Sequence, residues 1–268
     1  MAEKNLVIAE LRNRGFHIEE ITVVKNGIEF DSITIGTGTV RPNIYVDFLE
    51  KFDDVSEAAD KVVEIINNAE IPNVDYFEFF DKEYLKKNLR IAVQRAGTQS
   101  LVKRDTEFTG IEQYLYIQAD FDKNGMASIN LKNEHLKMID ADIDELWNVA
   151  LENTLAEAQK PMSVLQKLTQ IGCIDDDFES DGFPMQVLTN KANLKGASQI
   201  LNTELLKSVA EKMGTNEIYI IPSSIHEILV VPTDGFSLED VTEMVRETNA
   251  NEVAPVEQLS DMAYYMAF

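Results

Sequence analysis

A chain of 268 residues with 44% hydrophobic and 26% charged residues can bury one large core or two modest ones, which excludes wholesale disorder. Its single cysteine, Cys173, excludes an internal disulfide and a cysteine-rich zinc site, and no apolar run approaches the roughly 18 residues of a membrane span. The formal net charge of −23, from 47 acids against 24 Lys and Arg, opposes direct binding of nucleic acid or anionic membranes and favours basic partners.

The opening "MAEKNLVIAELRNRGF" has charges on both sides of a short apolar run, unlike a secretory signal, so a cytoplasmic protein is expected. Next, "EEITVVKNGIEFDSITI" reads as a hairpin turning at Asn26-Gly27, the strongest short-range hairpin signal. A strand over "NIYVDFL" follows, then a helix from about Val55 to Asn68, with Asp54 and Glu57 spaced as a capping box. The basic stretch 82–104 holds seven bases and one acid, and Lys86, Arg90 and their neighbours fit the solvated face of a helix around 80–96.

"QYLYIQADFDKNGMASINL" (113–131) reads as a second hairpin. "DIDELWNVALENTLAEA" follows as a helix, with Leu146, Trp147, Ala150, Leu151 and Leu155 at helical spacing and Asp142 and Glu145 at its start. A further helix over 203–213 opens at Asn202 or Thr203 and closes at Gly214. The third hairpin is "IYIIPSSIHEILVVP" (218–232), pairing 218–221 with 228–231, and a helix capped by Ser237 and Asp240 comes after it. Three strand–strand–helix units predict an α+β fold of antiparallel hairpins with helices on one face. Two lobes are expected, 1–170 and 185–268, joined by the acidic, aperiodic linker 171–184.

Two stretches offer chemistry. Ser223, Ser224, His226 and Glu227 supply the residue types of a nucleophile, a base and its orienting acid, with Thr189, Asn190 and Lys195 as further candidates nearby. A triad needs those groups within hydrogen-bond reach. The preceding Pro222 and the apolar runs on either side instead suit a turn between two strands, so no catalytic residue is assigned. Asp120, Asp122 and Asn124 match the first, third and fifth ligand positions of a calcium loop, but Leu131 stands where the bidentate glutamate belongs. Calcium is therefore not expected, nor is any other metal or cofactor, since the nucleotide-binding glycine motifs and HExxH spacings are missing from the sequence.

The stretch 187–232 resembles a family of uncharacterised bacterial proteins known as a domain of unknown function. Its pattern runs through Thr189-Asn190, Gly196-Ala197, Ala210-Glu211-Lys212, Pro222-Ser223-Ser224, His226-Glu227 and Val231-Pro232. The likeness extends over nearly the whole chain, and the Ser-Ser-x-His-Glu block is its most specific part. It implies no activity, because the family has none assigned.

The leading expectation is a non-enzymatic interaction protein whose acidic surface binds a basic partner. Its sharpest form is an inhibitor of a nuclease or other nucleic-acid-handling defence enzyme, carried by a mobile element or phage, that imitates nucleic acid. Asp175, Asp176, Asp177, Glu179 and Asp181 are the most concentrated acidic patch and the expected partner contact. The rival reading is an enzyme or small-molecule binder built on the Ser223–Glu227 segment. A third is a housekeeping domain whose charge serves only solubility.

Overall fold

A computed structural model describes residues 3–37, 41–68, 76–97, 100–122, 125–170, 172–173 and 184–268. The chain divides into two compact units, residues 1–78 and 79–268. Each is α+β with antiparallel strand pairing.

In the first unit, helix α1 (Lys4–Asn13) precedes the hairpin β1 (Ile18–Lys25) and β2 (Ile28–Ile35). Asn26 and Gly27 form its two-residue turn with φ of 48° and 80°. Both angles are positive, as a type I′ turn requires, and Lys25 pairs with Ile28 across it. The expected strand over "NIYVDFL" is only β3 (Asn43–Tyr45); the chain then turns into a single helical turn, α2 (Val46–Leu49). The apolar face of that turn explains the difference, because Leu49 packs with Phe48 and Phe52 into the core rather than extending the sheet. Helix α3 (Val55–Asn68) starts where its cap places it, with Asp54 accepting the Glu57 N–H at 2.9 Å. Val7, Ile8 and Leu11 of α1 meet Ala58, Ala59 and Val62 of α3 over Ile33 and Ile35, forming the core.

The second unit opens with α4 (Lys82–Asn88), capped by Asp81, which accepts the N–H groups of Glu83 and Tyr84. Here the expected helix over 80–96 is corrected. It stops at Asn88, and Leu89–Arg95 is a strand, β4. Its register runs against residues 111–117, so a distant pairing partner outweighs the helical spacing of the bases. The partner is β6 (Ile111–Asp122), which also pairs with β5 (Lys103–Asp105) and β7 (Gly125–Asn130). The second expected hairpin is therefore present as β6 and β7. Helix α5 (Ile143–Ala156) is capped by Asp142 through the Asp144 N–H and lies against β4.

Strand β8 (Met162–Ser163) runs into α6 (Val164–Gln170), and β9 (Gln186–Leu188) follows. A tight 3-10 segment, Gly196–Leu201, leads into α7 (Thr203–Lys212). Asn202 caps α7, and Gly214, at φ 76°, ends it. The third hairpin pairs β10 (Glu217–Ile221) with β11 (Ile228–Pro232) in the expected register, Ile221 opposite Leu229. The five-stranded sheet has the order β12-β10-β11-β9-β8, with β12 at Tyr264–Ala267. Helices cover both faces of this sheet, as its unbroken apolar runs require. Ile218, Ile220, Ile228 and Val230 pack on Leu206 and Val209 of α7. Tyr219 and Val231 pack on Val241 and Val245 of α8 (Leu238–Asn251).

Helix α8 carries a complete capping box. Ser237 accepts the Asp240 N–H and Asp240 accepts the Ser237 N–H. Replacing Ser237 by Ala removes one half of that exchange, and a loss of about 1 kcal/mol is expected in denaturant unfolding. Among the described residues, no helix is long and apolar enough to cross a membrane.

Candidate functional site

The Ser223–Glu227 segment connects β10 to β11, and its polar groups hold that connection together. The Ser223 N–H donates to the Ile221 carbonyl at 2.9 Å, and the Ser224 N–H to the Glu227 carbonyl at 3.2 Å. Ser224 Oγ accepts the His226 N–H at 3.0 Å. Among the described residues, no hydrogen bond joins either serine hydroxyl to the His226 ring. The imidazole points elsewhere: Nδ1 accepts the Lys195 N–H at 3.2 Å, and Nε2 lies 3.8 Å from the Glu257 carboxylate.

That contact brings in a second loop, residues 189–196, which leaves the end of β9. Thr189 and Asn190 are buried at 1% and 4% exposure and are fully engaged. Thr189 Oγ1 donates to the His226 carbonyl at 2.8 Å. The Asn190 amide closes the loop on itself, donating to the Leu194 carbonyl at 2.8 Å and accepting the Leu194 N–H at 3.3 Å. Asn193 and Lys195 both take left-handed backbone angles, φ 53° and 55°. A lysine does so only where its surroundings hold it there. Its N–H on His226 is one constraint. Its side chain is another, because Nζ sits 4.2 Å from the centre of the Tyr116 ring and 3.3 Å from both Tyr114 Oη and Asn130 Oδ1. Gly196 then passes so close to its neighbours that any side chain would strike Thr189 Oγ1, the His226 carbonyl and the Asn190 N–H.

The electrostatics follow from this packing. Burial pushes the His226 pKa below its ordinary value and Lys195 adds to that, while Glu257 and Glu227 pull the other way. Burial also raises the Tyr114 and Tyr116 hydroxyls far above the usual tyrosine range, so both stay neutral under the Lys195 ammonium. On the far side, Glu227 lies 3.7 Å from Lys167 Nζ, which donates to Asn193 Oδ1 at 2.5 Å. The sequence candidates Thr189, Asn190, Lys195, Ser224, His226 and Glu227 thus converge. Lys167, Asn193, Glu257, Gly196, Tyr114, Tyr116 and Asn130 join them without any local sign in the sequence beyond the glycine.

Of the calcium-loop positions, Asp120 and Asp122 fall on β6 and Asn124 lies outside the described residues. Leu131 is fully buried, and its N–H donates to the Leu115 carbonyl. Among the described residues no group of three or more His, Cys, Asp or Glu could hold a metal ion. The acidic patch Asp175, Asp176, Asp177, Glu179 and Asp181 lies outside the described residues.

Among the described residues, six of the seven bases in the stretch 82–104 pair with carboxylates of the same chain. Lys82 pairs with Glu145, Lys86 with Glu83, Arg90 with Glu157, Arg95 with Asp261, Lys103 with Glu112 and Arg104 with Asp144.

Fold and site together define an α+β protein in which two polar loops are clamped across the end of a five-stranded antiparallel sheet. The family described as "Family of unknown function (DUF5688)" matches residues 4–267, and the chain belongs to it. No curated protein and no solved structure matches the chain.

Proposed function

We propose that this protein acts by binding, as the acidic partner of a basic, nucleic-acid-handling protein such as a nuclease, and that it carries out no chemistry of its own. The carrying observation is the distribution of charge. Acids outnumber bases 47 to 24, and six of the seven bases in the densest basic stretch pair with carboxylates of the same chain. The surplus negative charge is left to act outward, where it repels nucleic acid and attracts a basic groove that handles it. An inhibitor from a mobile element or phage, working in the cytoplasm by imitating nucleic acid, is the most specific form of this reading. The hydrogen bonds of Ser224 and His226 support it further, because they serve the loops and not a nucleophile–base pair.

The test neutralises Asp175, Asp176, Asp177, Glu179 and Asp181 together, as Asn or Gln, and compares capture of host proteins with that of the unaltered chain. The Debye length shrinks from about 10 Å at 0.1 M salt to about 3 Å at 1 M, so a steered complex weakens steeply over that range. A basic nucleic-acid-binding protein held at low salt, released at high salt and lost in the neutral variant is the expected result. Equal capture by both chains at every salt concentration removes the loop from the contact. If the unaltered chain holds nothing basic at any salt, the reading fails.

A further inference from the structure

We infer that His226 is a proton-operated latch: a second proton, taken at Nδ1, breaks the bond from the Lys195 N–H and releases loop 189–196 from loop 222–227.

A neutral imidazole has one N–H and one bare nitrogen, whereas the imidazolium has a donor at each. Because Nδ1 accepts the Lys195 N–H, the proton of the neutral ring sits on Nε2, the nitrogen facing Glu257. A proton added at Nδ1 would set two N–H groups head to head across 3.2 Å. The closed arrangement therefore admits only the neutral ring.

What the ring holds is under backbone strain. Lys195 sits at φ 55°, Asn193 two residues earlier at φ 53°, and Gly196 is wedged against the His226 carbonyl. Two further direct bonds cross between the segments, the Thr189 hydroxyl on the His226 carbonyl and the Ala197 N–H of the 3-10 segment on the Ile225 carbonyl, while Lys167 bridges Asn193 and Glu227. Both direct bonds end on the backbone that the ring anchors.

The charged groups facing the ring come from each loop around it. Glu227 lies on its own loop, Glu257 on the segment before β12, and Lys195 on the loop it holds; Lys167 of α6 sits behind Glu227. The two carboxylates favour the imidazolium, while burial and Lys195 oppose it, and burial is the largest effect. The folded pKa is thus depressed below that of an unfolded histidine, about 6.5. The latch is fully closed above that pH and opens as pH falls through the window below it, where the unfolded or opened state binds the proton more readily.

His135 supplies an internal control. Its Nδ1 accepts the Lys132 N–H at 3.2 Å and burial lowers its pKa too, but that bond stays within one turn. Its titration affects overall acid stability without touching the Lys195 amide.

The experiment is amide exchange at Lys195, corrected for intrinsic rate, together with nitrogen NMR of the imidazole. The comparison variant is His226→Asn, whose side-chain oxygen can accept the same N–H and does not titrate. In the native chain, protection at Lys195 should fall severalfold, to a limit of about tenfold, relative to Ile220 between roughly pH 7.5 and 5.5, and the ring should carry its proton on Nε2. In His226→Asn the profile should be flat. A ring protonated on Nδ1 at neutral pH, a His226 pKa at or above the ordinary value, or the same pH profile in both chains would each overturn the latch. If His226→Asn does not fold, the NMR titration of the native ring decides alone.

Discussion

Gly196→Ala is expected to cost about 3 kcal/mol or more of folding stability, at the upper end of what overpacking usually brings. The reason is space and not backbone conformation. A Cβ at this position would lie 2.2 Å from Thr189 Oγ1, 2.6 Å from the His226 carbonyl oxygen and 2.7 Å from the Asn190 nitrogen. Only the first belongs to a side chain, and rotating it away would break the Thr189 bond to His226. The other two atoms are backbone at the end of a central sheet and cannot yield separately. Gly214→Ala is the matched control. Gly214 has φ 76°, and a Cβ added there would have no neighbour within 4 Å, so an alanine meets only the left-handed strain of about 1–2 kcal/mol. Denaturant midpoints of the two variants separate crowding from conformation. A Gly196→Ala protein within about 1 kcal/mol of the native chain would mean that the two loops are not held as closely as described.

What the sequence makes legible here is whatever is decided locally. Asn26-Gly27 fixes a hairpin because two adjacent residues can take positive φ, and Asp54, Asn202 and Ser237 fix helix starts because a cap reaches only two or three residues ahead. Leu89–Arg95 is illegible for the opposite reason. Its bases continue the helical spacing of α4, and the residues that make it a strand, 111–117, lie far along the chain. Helix α1 has no side-chain cap, so only Val7, Ile8 and Leu11 mark it.

The candidate site divides in the same way. That Ser223–Glu227 would be a turn is readable from Pro222 and the apolar runs beside it. That His226 would receive an N–H from a residue 31 positions away, or that Lys195 would reach Tyr114 over 81 positions, is written in no local pattern. Those contacts exist because the sheet order sets β9 beside β11 and the 3-10 segment against β4.

The second large effect falls on a polar group that closes a sheet edge. Thr154→Val should cost about 2 kcal/mol, the usual penalty for leaving a buried donor without a partner. Strand β4 is the outer strand of its sheet, so alternate N–H groups face away from β6 and need another acceptor. At Ile91 that acceptor is Thr154 Oγ1 on α5, at 2.8 Å, and the same hydroxyl donates to the Ala150 carbonyl at 2.7 Å. The Thr154 carbonyl in turn accepts from the fully buried Gln199 amide at 2.9 Å, tying helix, strand edge and 3-10 segment to one residue. Valine keeps the shape and removes the hydroxyl, so the Ile91 N–H would be buried facing a methyl group. Thr154→Ser keeps the hydroxyl and loses the threonine's own Cγ2 methyl, at a cost of about 1 kcal/mol. The expected order of stability is therefore native, then Ser, then Val, with faster amide exchange at Ile91 in the Val variant alone. If Val proves as stable as Ser, the hydroxyl does not hold this edge, and packing by α5 alone must keep β4 in place.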